Sequence, residues 1–262
     1  MTGSGVLNDP FIVDNWTDFR TIDTNSAEIF VRWADSENKI IDFNDIMPEG
    51  FTETVNFPAN IDFNGWTLRN FHSTASTAFS GISSHSNINN LVLENFYYTR
   101  QYLLCRVNCV NCIFSGIAHG VSSIVFGYSS NFTSCSTNLR MHSESESTVF
   151  SGSQCRNSDI ILDISGNRFT ISYDGKVYNS RFSGKIQING NNIMTNIGYS
   201  SVFNLNSNKP LSCSNASGIS VFNADTIQKT TGSSQNLVGV TFEQLKSAEY
   251  LYNMGFPIGY EE

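Results

Sequence analysis

Phe132-Thr-Ser-Cys-Ser-Thr-Asn-Leu-Arg-Met-His-Ser-Glu-Ser-Glu-Ser-Thr-Val-Phe150-Ser-Gly152 decides the fold, because its two phenylalanines continue a series. Phe79, Phe96, Phe114, Phe132 and Phe150 follow one another at nearly constant intervals. Phe182, Phe203, Phe222 and Phe242 extend the series less evenly. The flanks recur too: Phe-Ser-Gly stands at 79–81, 114–116, 150–152 and 182–184. Ile41-Asp-Phe-Asn returns as Ile61-Asp-Phe-Asn. Self-similarity at a fixed short period is the mark of a stacked-repeat architecture. A unit of about 18–21 residues holds three short strands with three turns, or one strand with one helix.

The segments read as strands. Ile160-Ile-Leu-Asp-Ile164 and Lys185-Ile-Gln-Ile-Asn189 are rich in β-branched residues and end at Ser-Gly or Asn-Gly. Ile186 and Ile188 alternate with Lys185, Gln187 and Asn189, the period-2 pattern of a strand with one covered face. Leu is too sparse for a leucine-rich repeat, and residues 51–240 show no helical periodicity. The expected fold is all-β: a right-handed, single-stranded parallel β-helix whose every turn adds one strand to each of three sheets. Its expected divisions are an N-terminal cap with the first strands over 1–50, the coil over 51–240, and a C-terminal helical cap over 241–262.

Composition agrees with stacking. The 262 residues are 40% hydrophobic and only 15% charged, against about a quarter charged in ordinary domains, and polarity comes instead from 31 Asn and 36 Ser. Equivalent side chains in stacked turns lie about 4.8 Å apart, where a column of like charges repels. Phe columns stack there, and Asn or Ser columns hydrogen-bond. Asn also tolerates the left-handed backbone of tight corners. The apolar content excludes disorder. No apolar run nears the length of a membrane span. Fifteen basic residues against 23 acidic ones, a formal net charge of −8, exclude a phosphate-backbone binder.

Open coil ends invite edge pairing, so short helical caps are expected at both. Thr241-Phe-Glu-Gln244 fits a capping box with Val240 and Leu245 as its hydrophobic staple. Phe242, Leu245, Ala248 and Tyr252 then form one stripe that Gly255 and Pro257 bring to a stop. At the other end, Asp14–Arg20 is expected to form one or two helical turns before a strand over Ile29–Trp33. The opening residues lack both a basic region and an apolar run, so no secretory signal is expected and the chain should be made in a host cytoplasm.

Gly3-Ser-Gly-Val-Leu-Asn-Asp-Pro-Phe-Ile-Val13, Ile40-Ile-Asp-Phe-Asn-Asp-Ile46 and Ile61-Asp-Phe-Asn-Gly-Trp-Thr-Leu-Arg-Asn70 resemble the start of pectin-lyase-like β-helices. They are particularly similar to those of bacterial surface adhesins and of phage tail or fibre proteins. Gly239-Val-Thr-Phe-Glu-Gln-Leu-Lys246, Tyr250-Leu251 and Gly255-Phe-Pro-Ile258 resemble the segment that closes such coils. The resemblance implies the fold over nearly the whole chain and leaves function open among lyases, hydrolases, adhesins and shafts.

Hydrolases of this family carry Asn-x-Asp, Asp-Asp, Gly-His-Gly and Arg-x-Lys in that order. Here Ala118-His119-Gly120 and Asn223-Ala-Asp225 echo two of these in reversed order, and Asp-Asp and Arg-Ile-Lys do not occur. His119 therefore reads as a turn residue. Asp159 and Asp163 share one strand face, but at about 3.3 Å per residue they lie roughly 13 Å apart, beyond the span of a glycosidase pair. They read as solvated outer-face acids, and Glu144 and Glu146 as a loop or polar strand. Cys105, Cys109 and Cys112 are densely spaced, with Cys135, Cys155 and His119 as further potential zinc ligands. Strand alternation sets Cys109 and Cys112 on opposite faces, so six reduced thiols filling the interior are the better reading and no metal or cofactor is expected.

What remains is a contact surface: Phe96-Tyr-Tyr-Thr-Arg-Gln-Tyr102 gathers Tyr97, Tyr98, Arg100 and Tyr102, residue types that offer flat apolar area with a polar handle. The expected function is a non-enzymatic structural or host-attachment module of a phage virion, such as a tail fibre, spike or head appendage. Homotrimers, other virion proteins and a bacterial surface glycan or protein are the expected partners, with no nucleic acid and no membrane insertion. The alternatives are a tail-spike polysaccharide depolymerase and a bacterial cell-surface adhesin.

Overall fold

A computed structural model describes residues 1–24, 28–81, 85–230 and 233–253. The chain winds into a parallel β-helix of about nine turns. Every ladder between strands is parallel, and no helix occurs between residues 51 and 240 among the described residues. Three strand columns, here faces A, B and C, repeat in the order C, A, B. Val107–Val110 on C leads to Ile113–Gly120 on A, Ile124–Tyr128 on B and Asn131–Thr133 back on C. Two strands, Ser136–Ser151 and Asp159–Tyr173, run unbroken around the corner from A to B.

The register corrects the period. Val92 pairs with Ile113, then Ser136, Asp159, Arg181 and Val202, so each of these turns is longer than the spacing of the early phenylalanines. Those phenylalanines fall short of a full turn and move around the coil: Phe114 belongs to face A, Phe132 to C and Phe150 to B. Ile41 and Ile61 likewise sit on different faces. Phe182, Phe203 and Phe222 are true equivalents, one per turn. Phe182 and Phe203 stack with ring centroids 5.1 Å apart.

Two corners recur in left-handed backbone. Asn90, Asn111, Ser134, Asn157, Asn179 and Ser200 turn the chain from C to A, and Arg106, Ser129, Gly152 and Asp174 turn it from B to C, all with φ between 45° and 58°. Just inside the first corner Ser158, Ser180, Ser201 and Ser220 form a ladder in which each hydroxyl accepts the backbone N–H one turn earlier. Outside, on face C, Asn60, Asn87, Asn108 and Asn131 form an amide ladder with steps of 2.8–3.0 Å. Charge is admitted where signs alternate along a column: Asp42–Arg69–Glu94 and Arg140–Asp163–Lys185 are in register on face A.

The N-terminal end is closed by helix Trp16–Arg20, capped by Asn15. It drives buried Trp16 and Phe19 onto Trp33, Phe43, Phe51, Phe57 and Phe63. Strand Phe30–Trp33 follows, as expected. At the other end the Thr241 capping box is present, and Leu245 packs against a cluster containing its staple partner Val240. The single C-terminal helix is corrected to two, Phe242–Lys246 and Ala248–Asn253, because Ser247 is extended. Gly255 and Pro257 lie outside the described residues. Leu245 and Tyr250 pack against the cluster of Val202 and Val221, which face outward from A, so these helices lie along the coil's flank. Among the described residues no helix is long and apolar enough to cross a membrane.

Candidate functional site

The aromatic segment spans the corner from face A to face B, and alternation divides it. Tyr97 points outward beside His72, ring centroids 5.1 Å apart. Tyr98 points inward and is fully buried, its hydroxyl donating to the Ser76 carbonyl at 2.9 Å. Burial pushes its phenol far above the usual range. Tyr98 is thus a core residue, withdrawn from any surface contact. Arg100 is exposed, with Nε donating to the Thr74 carbonyl at 3.2 Å. Tyr102 opens the next strand, accepts from Gln101 Nε2 at 2.8 Å and packs against Tyr128 at 4.5 Å. Tyr128, on the following turn, is the member that sequence reading missed. It lies outside the aromatic segment, and only the pitch of the coil makes it a neighbour of Tyr102. Tyr97, Arg100, Tyr102 and Tyr128 offer ring faces, phenol hydroxyls and one guanidinium around a corner, a set suited to contact.

Of the acids singled out, Asp159, Asp163 and Glu146 are engaged. Asp159 accepts from Arg181 Nε at 3.0 Å and from Nη2 at 2.6 Å, a bidentate pair across adjacent turns. Asp163 accepts from Arg140 Nε at 3.1 Å. Glu146 accepts from Thr170 Oγ1 at 2.8 Å, whereas Glu144 is exposed. His119 is a strand residue, not a turn residue. It stacks on His142 at 5.0 Å, and His142 Nδ1 lies 2.8 Å from Ser165 Oγ. Asn223 donates its side-chain amide to Asn204 Oδ1 and accepts the Asp225 backbone N–H, while Asp225 accepts the Phe242 N–H at 2.8 Å. This motif fixes a turn and the start of a helix.

The thiols fill the interior, as expected, except that Cys105 is half-buried. The alternation argument for Cys109 and Cys112 fails: Asn111 between them is a left-handed corner, so both point inward. Cys112 and Cys135 occupy the positions that serine takes at 158, 180, 201 and 220, and each thiol donates to the carbonyl two residues back. Contact with Cys109 together with burial holds the Cys112 thiol well above its usual range. Burial pushes Cys155 up to about 12. Such thiols stay protonated and unreactive. Among the described residues no group of three or more His, Cys, Asp or Glu is placed to hold a metal ion. No family model, curated protein or solved structure matches the chain.

Proposed function

We propose that this chain is a non-enzymatic structural or host-attachment module of a phage virion, as in a tail fibre, spike or head appendage. One observation carries the reading: Asp159, Asp163 and Asp225, acids that the sequence offered for a polysaccharide-cleaving site, are held by neighbours. Asp159 and Asp163 neutralise arginines of adjacent turns, and Asp225 caps a helix. The resemblance of the terminal segments to phage tail or fibre β-helices supports the virion setting. The continuous stack of ladders suits a stiff shaft that presents side-chain columns to a cell envelope. The assembly would be a homotrimer, in which the outward Ile40, Ile113 and Ile161 of face A, 43–48% exposed, become covered.

Incubation of the purified protein with intact bacterial cells and with their extracted envelope polysaccharides tests the proposal. Expected are retention on cells, no release of reducing ends or unsaturated uronic acids, and a native mass three times that of the 29.1 kDa chain. Progressive release of either product would replace this reading with a depolymerase. A protein that stays monomeric and binds no cell surface would remove the attachment reading.

A further inference from the structure

On face C the amide ladder does not end where its hydrogen bonds do. The outer column continues past Asn131 through Gln154, Lys176 and Asn196, one residue on each of four successive turns. Up to Asn131 each amide bonds the next. At the next step, to Gln154, the ladder is interrupted, because Gln154 Oε1 instead accepts Arg156, at 2.8 Å from Nη2. Here the surface opens into a groove of about 710 Å³.

The groove exists because Gly152 and Gly175, at and beside the adjoining corner, carry no side chain. Gly152 takes the left-handed position that Ser129 holds one turn earlier. Gly175 is pressed so closely on Ser153 that a Cβ would lie 1.9 Å from its carbonyl oxygen. Asp174, left-handed at φ 51°, forms one wall and Lys176 another. Neither side chain is engaged by a hydrogen bond or ion pair among the described residues. Asn131 keeps its Oδ1, and Gln154 its Nε2, for an incoming group. The ring of Tyr178 is already covered by Arg156, whose guanidinium carbon lies 4.5 Å from the centroid, so recognition falls to hydrogen bonds and not to stacking.

We propose that this groove binds a linear neutral oligosaccharide, a ligand class that gives the attachment reading, on which it rests, a specific site. One carboxylate, one ammonium, one amide oxygen and one amide N–H sum to zero charge. They offer acceptors and donors together, which vicinal hydroxyls satisfy because each both donates and accepts. The polar groups repeat along the coil axis at the turn spacing of about 4.8 Å, close to the length of one pyranose unit, so four turns accommodate about three to four sugars. A peptide would seek apolar pockets or a free strand edge, and the groove presents neither.

The test is binding to arrayed linear tetrasaccharides: neutral glucose, galactose, mannose and N-acetylglucosamine chains beside galacturonate and sialate chains. The wild type is compared with the double variant Asp174→Asn, Lys176→Ala, whose changes are exposed and keep a residue tolerant of the left-handed corner. Expected is retention of a neutral chain by the wild type and a loss of about ten- to a hundredfold in the variant, the effect of removing charge-assisted hydrogen bonds, with an unchanged melting curve. Equal binding by both proteins would overturn the groove while the attachment reading stands. Retention of acidic chains alone would overturn the neutral class. Cell binding that is lost when the cells are treated with protease, with no saccharide retained, would overturn the glycan and point to a protein receptor. Binding to neither cells nor saccharides would remove both readings.

Discussion

Arg106 and Asn111 occupy left-handed corners on one turn, with φ of 55° and 54°, yet their side chains meet that backbone differently. The left-handed region costs an ordinary L-residue about 1–2 kcal/mol, and Asn escapes much of it through local hydrogen bonding. Opposite signs follow. Asn111→Ala should lower stability by about 1 kcal/mol, whereas Arg106→Asn should raise it by about 0.5–1 kcal/mol. Urea midpoints at constant slope measure both. If the two changes act in the same direction, corner strain does not govern these sites. The same geometry explains why Asn was legible in composition but not in position. Abundant Asn signalled left-handed corners, yet Ser134, Ser200 and Arg106 hold the same backbone, so residue type alone does not mark each turn.

Among the elements, the N-terminal helix does more than its five residues suggest. An isolated helix so short has no stability in water, so Trp16–Arg20 persists because Trp16 and Phe19 plug the coil's aromatic end. Trp16 meets the rings of Phe43 and Phe51 at 4.8 and 6.1 Å. Trp16→Ala should cost about 3–5 kcal/mol and should also bare the first strands, whose free edges then pair between molecules. Light scattering should report species larger than the wild type, with increased binding of a hydrophobic dye. A variant that melts earlier but keeps the wild-type size would make the helix a packing element and not an edge guard. This helix and the Thr241 box could be read from the sequence because their caps are local. The break at Ser247 could not, since a helix lying along a flank takes its shape from Val202 and Val221, far away in the chain.

For the whole molecule, the coil was legible because strand alternation and turn chemistry are local, whereas its pitch was not. The evenly spaced phenylalanines occupy three faces of a coil whose turn is longer than their spacing, so an equal interval mimicked a period it did not equal. Neither the packing of Tyr102 on Tyr128 nor the face C groove emerges until that pitch is known. The charge rule survives in sharper form. Stacking does not exclude charge but requires alternation, as Arg140–Asp163–Lys185 shows. Asp163→Lys would set three cations in one column at about 4.8 Å, each contact costing about 1 kcal/mol in water, on top of a lost exposed ion pair worth at most about 1 kcal/mol. The expected loss is about 1–3 kcal/mol at low ionic strength, shrinking at about 1 M salt, where the Debye length falls to about 3 Å. Asp163→Asn keeps the shape and adds no repulsion, so it should cost no more than the ion pair itself, at most about 1 kcal/mol. Urea titrations of both variants at low and high salt separate the effects. A loss in Asp163→Lys that ignores salt would mean that side-chain shape, and not column charge, limits what the stacked faces accept.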